Sequence, residues 1–209
     1  MIGYDGQNMV IVPDRPIEKE LIQKQVGKVE LRLSDGRTIT AEQRKKAYAT
    51  IRDIANWCGH LPEFLKEWFK YEYILRTGDE YFSLSDCSVT VARTYINLLI
   101  EFCLKHGVPI RESLTERTDD IDAYLYMCLY YRKCAVCGRP ADVHHVTGSK
   151  IGMGGDRNHV HHLGRYAIAL CREHHNAAHT AEQAFFETNH IYGIPLDENL
   201  CERLTLRGW

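Results

Sequence analysis

The sequence predicts an α+β protein, with a helical N-terminal part that includes a small β-sheet and a C-terminal ββα module stapled by zinc. Three observations support this class: long segments with apolar residues at helical spacing, short alternating segments typical of strands, and paired cysteines and histidines near the C-terminus. Of the 209 residues, 44% are hydrophobic and 26% are charged, as in globular proteins. We expect one domain over residues 1–118 and a second over residues 119–209.

The N-terminal segment contains three predicted elements. Residues 8–12 form a short apolar strand that Pro13 ends, and residues 17–25 favour a short helix. Residues 28–33 alternate between polar and apolar types, which predicts a half-buried strand. A Ser-Asp-Gly turn signal follows at residues 34–36.

The next predicted element is a helix over residues 41–58. Thr40 stands at the N-cap position, Gln43 lies three residues later as in a capping box, and Gly59 ends the segment. The later predicted elements are a helix over 62–75, a strand over 80–84, a helix over 88–106, a polar linker over 111–120 and a helix over 119–132.

The aromatic residues of this half lie at helical spacing beside leucine and isoleucine, which favours burial in a core. Some of them could instead stack on single-stranded bases. The residues concerned are Trp57, Phe64, Trp68, Phe69, Tyr71 and Tyr73.

Charge and hydropathy exclude several classes. With 26 basic and 28 acidic residues the net charge is -2, so an indiscriminate nucleic-acid binder is excluded and any such contact needs a local patch. No apolar run reaches the ~18 residues of a membrane span. Residues 1–13 lack the pattern of a signal peptide. We therefore expect a cytoplasmic protein without a membrane partner.

The eight cysteines favour metal binding over disulfides. Cys134 and Cys137, two residues apart and followed by a glycine, have the spacing of a zinc knuckle. Cys171 and His174 form a second pair with the same gap at the start of a predicted helix. Three thiolates and one imidazole make a closed tetrahedral set, which predicts a structural zinc site.

Four further histidines predict a second site. His144 and His145 are neighbours on a predicted strand, so they point to opposite sides, and one can bind a metal while the other acts as a base. His175 and His179 are four residues apart and share one helical face. That face is turned about 100° from His174, so one helix can serve two metals.

The combination CxxC, VHHV and LCREHHNAAH over residues 134–180 resembles the HNH nucleases. The resemblance implies that His144, His175 and His179 bind one divalent ion, that His145 is the general base, and that DNA or RNA is cut to leave 5′-phosphate and 3′-hydroxyl ends. The family usually uses Mg or a transition metal. Three imidazoles favour a softer ion, so Mn, Ni or Zn can also occupy this site.

One position departs from the family pattern. The middle asparagine of the family, which braces the loop of the base, corresponds in register to Tyr166. Asn158, His161 or His162 could take this bracing role, and we favour His162. We expect His159, and by default also His161, to be a solvated loop histidine.

The N-terminal part, residues 28–108, resembles the NinB/Orf family of phage recombination mediators in its succession of elements and in Gln43-Arg44-Lys45. The resemblance implies binding of single-stranded DNA, contact with single-strand-binding protein and a homodimer. The whole chain also resembles HNH nucleases of phage and prophage recombination clusters. Candidate DNA contacts, each of which can equally be surface charge, are Arg44, Lys45, Lys46, Arg52, Lys150, Arg157 and Arg165.

Three functional hypotheses follow. The first is a phage-type HNH endonuclease that cuts DNA during recombination or replication, on single-stranded or branched substrates. The second is a non-catalytic, zinc-containing DNA-binding mediator, which would have no need for the additional histidines. The third is a sequence-specific restriction or homing enzyme, for which no recognition module is evident.

Overall fold

The computed structural model describes residues 3–4, 9–10, 36–110, 112–149 and 160–207. It divides into two compact units, Met1–Asp35 and Gly36–Trp209. Its helices and strands, a mixture of α-helices with small antiparallel sheets, confirm the predicted α+β class. In the described part of the chain, no helix is long and apolar enough to cross a bilayer.

The first unit contains a short antiparallel pair of strands. Strand β1 (Gly3–Tyr4) pairs with β2 (Met9–Val10), in a register that places Gly3 opposite Val10. Strand β2 overlaps the predicted strand over 8–12. The predicted helix over 17–25 and strand over 28–33 lie outside the described residues.

Helix α1 (Ala41–Cys58) begins and ends where the sequence predicts. The Thr40 hydroxyl accepts from the Gln43 N–H, and the Gln43 side chain accepts from the Thr40 N–H, each at 3.0 Å. Gly59 ends the helix in the left-handed region, with a φ of 76°. The two reciprocal bonds satisfy orphan N–H groups of the first turn, which explains why the capping box fixes this boundary.

Helix α2 (Pro62–Thr77) and helix α3 (Val89–His106) complete an α-helical bundle with α1. The predicted strand over 80–84 is wrong, because residues 84–86 form a turn instead. The Arg44 guanidinium donates to the carbonyls of Leu84 and Ser85, which holds this turn on α1.

The aromatic residues of this bundle divide between the core and the surface. Phe69 and Tyr73 are buried as expected. The remaining aromatic residues of the predicted core set are exposed instead, and these are Trp57, Phe64, Trp68 and Tyr71.

The polar segment at 112–120 is packed and is not an exposed linker. It contains the one-turn helix α4 (Leu114–Arg117), and both of its end residues are buried. Arg117 forms a buried ion pair with Asp53 of α1 at 3.1 Å. One apolar cluster includes buried residues from both sides of residue 118. The division of the chain into two domains at residue 118 therefore remains a prediction.

Helix α5 (Ile121–Tyr130) leads into the cysteine knuckle. The Tyr124 hydroxyl donates to the carbonyl of Ala135 at 2.8 Å, and both residues are fully buried. Burial raises the pKa of Tyr124, so the hydroxyl keeps its proton as a donor. The knuckle is therefore attached to the core that α5 shares with α3.

A three-stranded antiparallel sheet, ordered β3-β4-β5, follows in the C-terminal part. His144 of β3 stands opposite Ile168 of β4. The elements of this part are β3 (Asp142–His145), β4 (Tyr166–Leu170), α6 (Arg172–Asn189), β5 (Ile194–Pro195) and α7 (Glu198–Leu204). The order β3, β4, α6 is the ββα arrangement that the sequence predicts.

Candidate metal centre

The first cluster consists of the donor atoms of Cys134, Cys137, Cys171 and His174. The first two residues belong to the knuckle turn, Cys171 is the N-cap of α6, and His174 lies in its first turn. The His174 Nδ1 atom lies 3.2 Å from the Cys134 sulfur and 3.3 Å from the Cys171 sulfur. The sulfurs of Cys137 and Cys171 are 3.7 Å apart.

These distances fit the edges of a tetrahedron around zinc. With Zn–S bonds of about 2.3 Å and Zn–N bonds of about 2.05 Å, tetrahedral geometry requires about 3.75 Å between sulfurs and about 3.5 Å between sulfur and nitrogen. The set of three sulfurs and one imidazole therefore suits a zinc ion with small adjustments. Because all four positions are protein donors, a metal held here would have no open coordination position, as in structural zinc sites.

The surroundings of the two knuckle cysteines shift the pKa values of their thiols in opposite directions. Burial raises the pKa of the Cys134 thiol to about 12, so its thiolate requires a nearby cation. Burial acts in the same direction at Cys137, but hydrogen bonds led by the Arg139 side chain outweigh it and lower the pKa of this thiol. Arg139 donates from Nε to Cys137 at 3.2 Å and from Nη2 to Cys171 at 3.6 Å.

The second cluster consists of His144 from β3 and His175 and His179 from α6. One nitrogen from each ring lies within 4.8 Å of the others, and the ring centroids are 4.6 to 5.0 Å apart. His144 is buried, whereas His179 is exposed. Ligands of one ion lie at most about 4.2 Å apart, so small side-chain movements would place these nitrogens on a single metal.

The protonation state of His175 suits metal binding. Burial lowers its pKa to about 4, and the nearby rings of His144 and His179 act in the same direction. The ring is therefore neutral at neutral pH, which is the form that binds a metal ion.

His145 points away from the three-histidine cluster, as expected for adjacent strand residues. It is half-buried, and its Nε2 atom lies 3.1 Å from Nδ1 of His162. His162 is fully buried, and its backbone N–H donates to the carbonyl of Arg207 at 2.7 Å. The structure thus brings together the two residues for which the sequence predicts a base and a brace.

The other brace candidates, Asn158 and His161, and their neighbours His159 and Tyr166 are placed differently. His161 and Tyr166 are exposed, while Asn158 and His159 lie outside the described residues. Among the candidates in the described part of the chain, His161 and His162, it is His162 that lies beside His145.

Sequence reasoning missed Glu182 of α6. Its Oε2 atom lies 2.9 Å from Nε2 of His144, and its Oε1 atom accepts from the Thr147 N–H at 2.7 Å. Glu182 follows His175 by seven residues and His179 by three, so helical periodicity already places it near their face. That spacing was the available signal.

Five of the seven predicted DNA-contacting cations divide into three groups. Arg44 and Arg165 are engaged with backbone carbonyls, since Arg165 donates to those of His161 and Ser149. Lys45 is exposed on α1. Lys150 and Arg157 lie outside the described residues.

The remaining two candidates lie on the same helix as Lys45. Lys46 donates to the carbonyl of Thr118 at 2.7 Å, and Arg52 is exposed. A contact with nucleic acid stays a prediction for each of these cations.

Comparison with known proteins agrees with this geometry. The sequence profile of the family described as "Putative HNHc nuclease" matches residues 12–207. The chain is also 47% identical over 65 residues to the uncharacterized protein YdfU of Escherichia coli strain K12, an alignment that covers 31% of this chain and 17% of YdfU. No solved structure gives a significant match.

Proposed function

Since the chain belongs to the HNHc nuclease family, we propose that it is a metal-dependent endonuclease that hydrolyses phosphodiester bonds in DNA. The observation that supports this most strongly is the placement of His144 and His145 on opposite sides of one strand. One residue joins the three-histidine cluster, and the other contacts the buried His162. A zinc module that only binds DNA would need neither group.

The proposed base is His145. For this ring to accept a proton from water at Nδ1, its Nε2 must carry a hydrogen and donate it to Nδ1 of His162. The distance of 3.1 Å between these two nitrogens allows that bond. His162 would then orient the base and stabilise the imidazolium that forms when water loses its proton and attacks phosphorus.

His144, His175 and His179 would hold one divalent ion, of which Mg, Mn, Ni and Zn are the candidates. Such an ion, when bound, stabilises negative charge on the phosphate and on the leaving 3′ oxygen. The neutral ring of His175 presents its nitrogen without competition from protons at neutral pH, and the ring of His144 is buried beside it. The structural site would hold zinc through its three cysteines and His174.

The principal test is the variant His145→Ala. We expect cleavage to fall about 10²- to 10⁴-fold, the usual contribution of a positioned acid or base, while thermal unfolding and bound zinc stay as in the wild type. His190→Asn is a matched control, because it removes another histidine from the C-terminal part of the chain. Asparagine tolerates the left-handed backbone conformation of this residue, so the substitution should not strain the fold. Wild-type cleavage by His145→Ala would show that another group is the base.

The substrate is tested by assaying single-stranded, duplex and branched DNA with Mg²⁺, Mn²⁺, Ni²⁺ and Zn²⁺. We propose single-stranded or branched DNA as the preferred form, a role in phage or prophage recombination, and contact with single-strand-binding protein. The resemblance of residues 28–108 to recombination mediators supports these proposals. No cleavage of any form with any ion, and one metal per chain, would instead support a non-catalytic DNA-binding mediator.

A homodimer is also part of this proposal, and an exposed stripe on α2 supports it. The stripe consists of Leu61, Phe64, Trp68, Tyr71 and Leu75, which are 72%, 54%, 37%, 60% and 79% exposed. Spacings of three and four residues are those of a helix–helix seam. Since α2 has three acidic and three basic residues, the stripe lacks the basic excess that a phosphate backbone requires.

The area of the stripe is sufficient for a second copy of the chain. Usual side-chain areas scaled by these exposures give roughly 500 Å² per chain, so pairing two copies would bury about 1,000 Å², the lower limit for a specific interface. We expect Leu61→Lys with Leu75→Lys to convert the dimer to a monomer in light scattering, whereas Asn56→Lys leaves it unchanged. A wild-type monomer would contradict this part of the proposal.

A further inference from the structure

We propose that Glu182 is a positioning residue for the metal centre, because its carboxylate holds the ring of His144 and the backbone of Thr147 at the same time. This inference rests on the proposed function, in which His144 is a metal ligand. It assigns a role in the metal centre to a residue that lies outside the CxxC, VHHV and LCREHHNAAH segments.

The contacts of Glu182 join two separate elements. One carboxylate oxygen lies 2.9 Å from Nε2 of His144, and the other accepts from the Thr147 N–H at 2.7 Å. The His144 side chain is 1% exposed and that of Glu182 is 14% exposed. Because solvent has little access to this pair, the contact is stronger than an exposed one of the same length.

The backbone of α6 explains how Glu182 comes to lie there. The helix leaves helical geometry at Ala181, where φ is -153° and ψ is 70°. This break lies between His179 and Glu182, so the carboxylate belongs to a helical segment that starts anew after the kink. The position of Glu182 is therefore set separately from that of the imidazoles on the preceding turns.

The geometry favours a supporting role over direct ligation. Among the described residues, the cluster whose donor atoms lie within 4.8 Å of one another contains His144, His175 and His179, and Glu182 is not a member. Because ligands of one ion lie at most about 4.2 Å apart, Glu182 would have to move to join them. It contacts the ligand His144 instead.

A carboxylate in this position determines which nitrogen of His144 is available. When Nε2 carries the hydrogen and donates it to Glu182, the lone pair is on Nδ1, and the negative carboxylate makes this nitrogen a better ligand. The second contact fixes Thr147, two residues after His145. One carboxylate thus stabilises both the ligand and the chain that follows the proposed base.

The test measures metal binding without cleavage. Mn²⁺ is titrated into zinc-loaded protein and followed by electron paramagnetic resonance. We expect Glu182→Ala to bind Mn²⁺ about 10- to 100-fold more weakly, as is usual when such a supporting carboxylate is lost. Glu187→Ala should bind as the wild type does, because it removes an exposed glutamate of the same helix whose carboxylate accepts from the Gln183 side chain.

A second measurement separates positioning from a general structural role. Nitrogen NMR of the protein with zinc in the cysteine cluster, before Mn²⁺ is added, should show His144 protonated at Nε2 in the wild type and a mixture of tautomers in Glu182→Ala. Glu182→Gln, which keeps one acceptor oxygen, should restore part of the Mn²⁺ affinity. An affinity within threefold of wild type in Glu182→Ala, or an unchanged tautomer, would overturn the proposal.

These outcomes are independent of the base assignment. If His145→Ala cut DNA normally, the proposed base would be wrong, but the Mn²⁺ affinities would still report on Glu182. If Glu182→Ala bound Mn²⁺ normally and His145→Ala were inactive, only the role of Glu182 would be excluded.

Discussion

The cysteine cluster and the histidine cluster are built on the same helix, yet they differ in donor set, closure and neighbours. The first has four protein donors, three pairs of which lie 3.2 to 3.7 Å apart, and it belongs to the apolar core through Cys134. The second has three imidazoles, one of which is exposed, and lies beside a half-buried fourth histidine. A closed set stabilises a fold, whereas an incomplete set leaves room for water and substrate.

Loss of the cysteine cluster should have the largest effect. Cys134 is fully buried, and because burial raises its pKa to about 12 its thiolate requires a nearby cation, which the proposed zinc ion would supply. Structural zinc in small modules contributes about 10–16 kcal/mol of apparent binding free energy, which equals or exceeds the whole stability of a typical domain. We expect Cys134→Ser to lose zinc and the native tertiary structure of residues 134–207, measured by metal analysis and near-ultraviolet circular dichroism.

The control for this prediction is Cys58→Ser, which changes an exposed cysteine at the end of α1. It should keep zinc and unfold as the wild type does. A folded, zinc-free Cys134→Ser protein would show that the cluster is dispensable for folding.

Substitutions of two histidines on α6 should separate the clusters. His179→Ala removes an exposed imidazole of the second cluster, so stability should change by no more than about 0.5 kcal/mol. Cleavage should fall about 10²- to 10³-fold, as expected when several kcal/mol of metal-derived stabilisation is lost. His174→Ala, five residues earlier, removes the imidazole of the cysteine cluster and should lower both the midpoint of thermal unfolding and cleavage.

Both variants are compared by thermal unfolding and by cleavage of the preferred DNA form. If His179→Ala lowered the unfolding temperature as far as His174→Ala, the second cluster would also be structural. In that case the distinction between a closed site and an open site would fail.

Local signals explain what the sequence predicted well. The capping box at Thr40 and Gln43, the two pairs with CxxC-like gaps, and the alternation of His144 and His145 each depend on residues close in the chain. Helical and strand periodicities then determine which side chains share a face. Because these rules are local, they apply before any tertiary contact is known.

Long-range contacts explain what it did not predict. Arg117 pairs with Asp53 across 64 residues, and this pair holds a segment whose polar composition indicates a linker. Arg44 belongs to a motif predicted to contact DNA, but it binds the turn at Leu84. Glu182 follows a helical break at Ala181, where the sequence has no proline or glycine, and it contacts His144 of β3 across 38 residues. Composition and spacing place Glu182 near the face of His175 and His179, but they do not identify the distant partners of these three residues.

Substitution of Arg139 should have the smallest effect that still distinguishes the two clusters, a shift in the pH at which zinc is released. Three thiolates and Zn²⁺ together have a net charge of -1, and the exposed guanidinium of Arg139 lies beside two of the sulfurs. Its hydrogen bonds act against burial and lower the pKa of Cys137, so protons compete less well with zinc for this sulfur. In Arg139→Gln that pKa rises, and zinc should be released at a pH about half a unit higher, as recorded by a chromogenic zinc indicator during acid titration.

Arg172→Gln is the matched control for this last prediction, because its exposed guanidinium lies at the start of the same helix and pairs with Asp142 rather than with sulfur. Its zinc should be released at the wild-type pH. The Mn²⁺ affinity of the histidine cluster should be the same in both variants, since neither Arg139 nor Arg172 is a member of that cluster. An equal shift of zinc release in both variants would mean that general surface charge, and not the contact of Arg139 with the sulfurs, determines how firmly the closed site holds its metal.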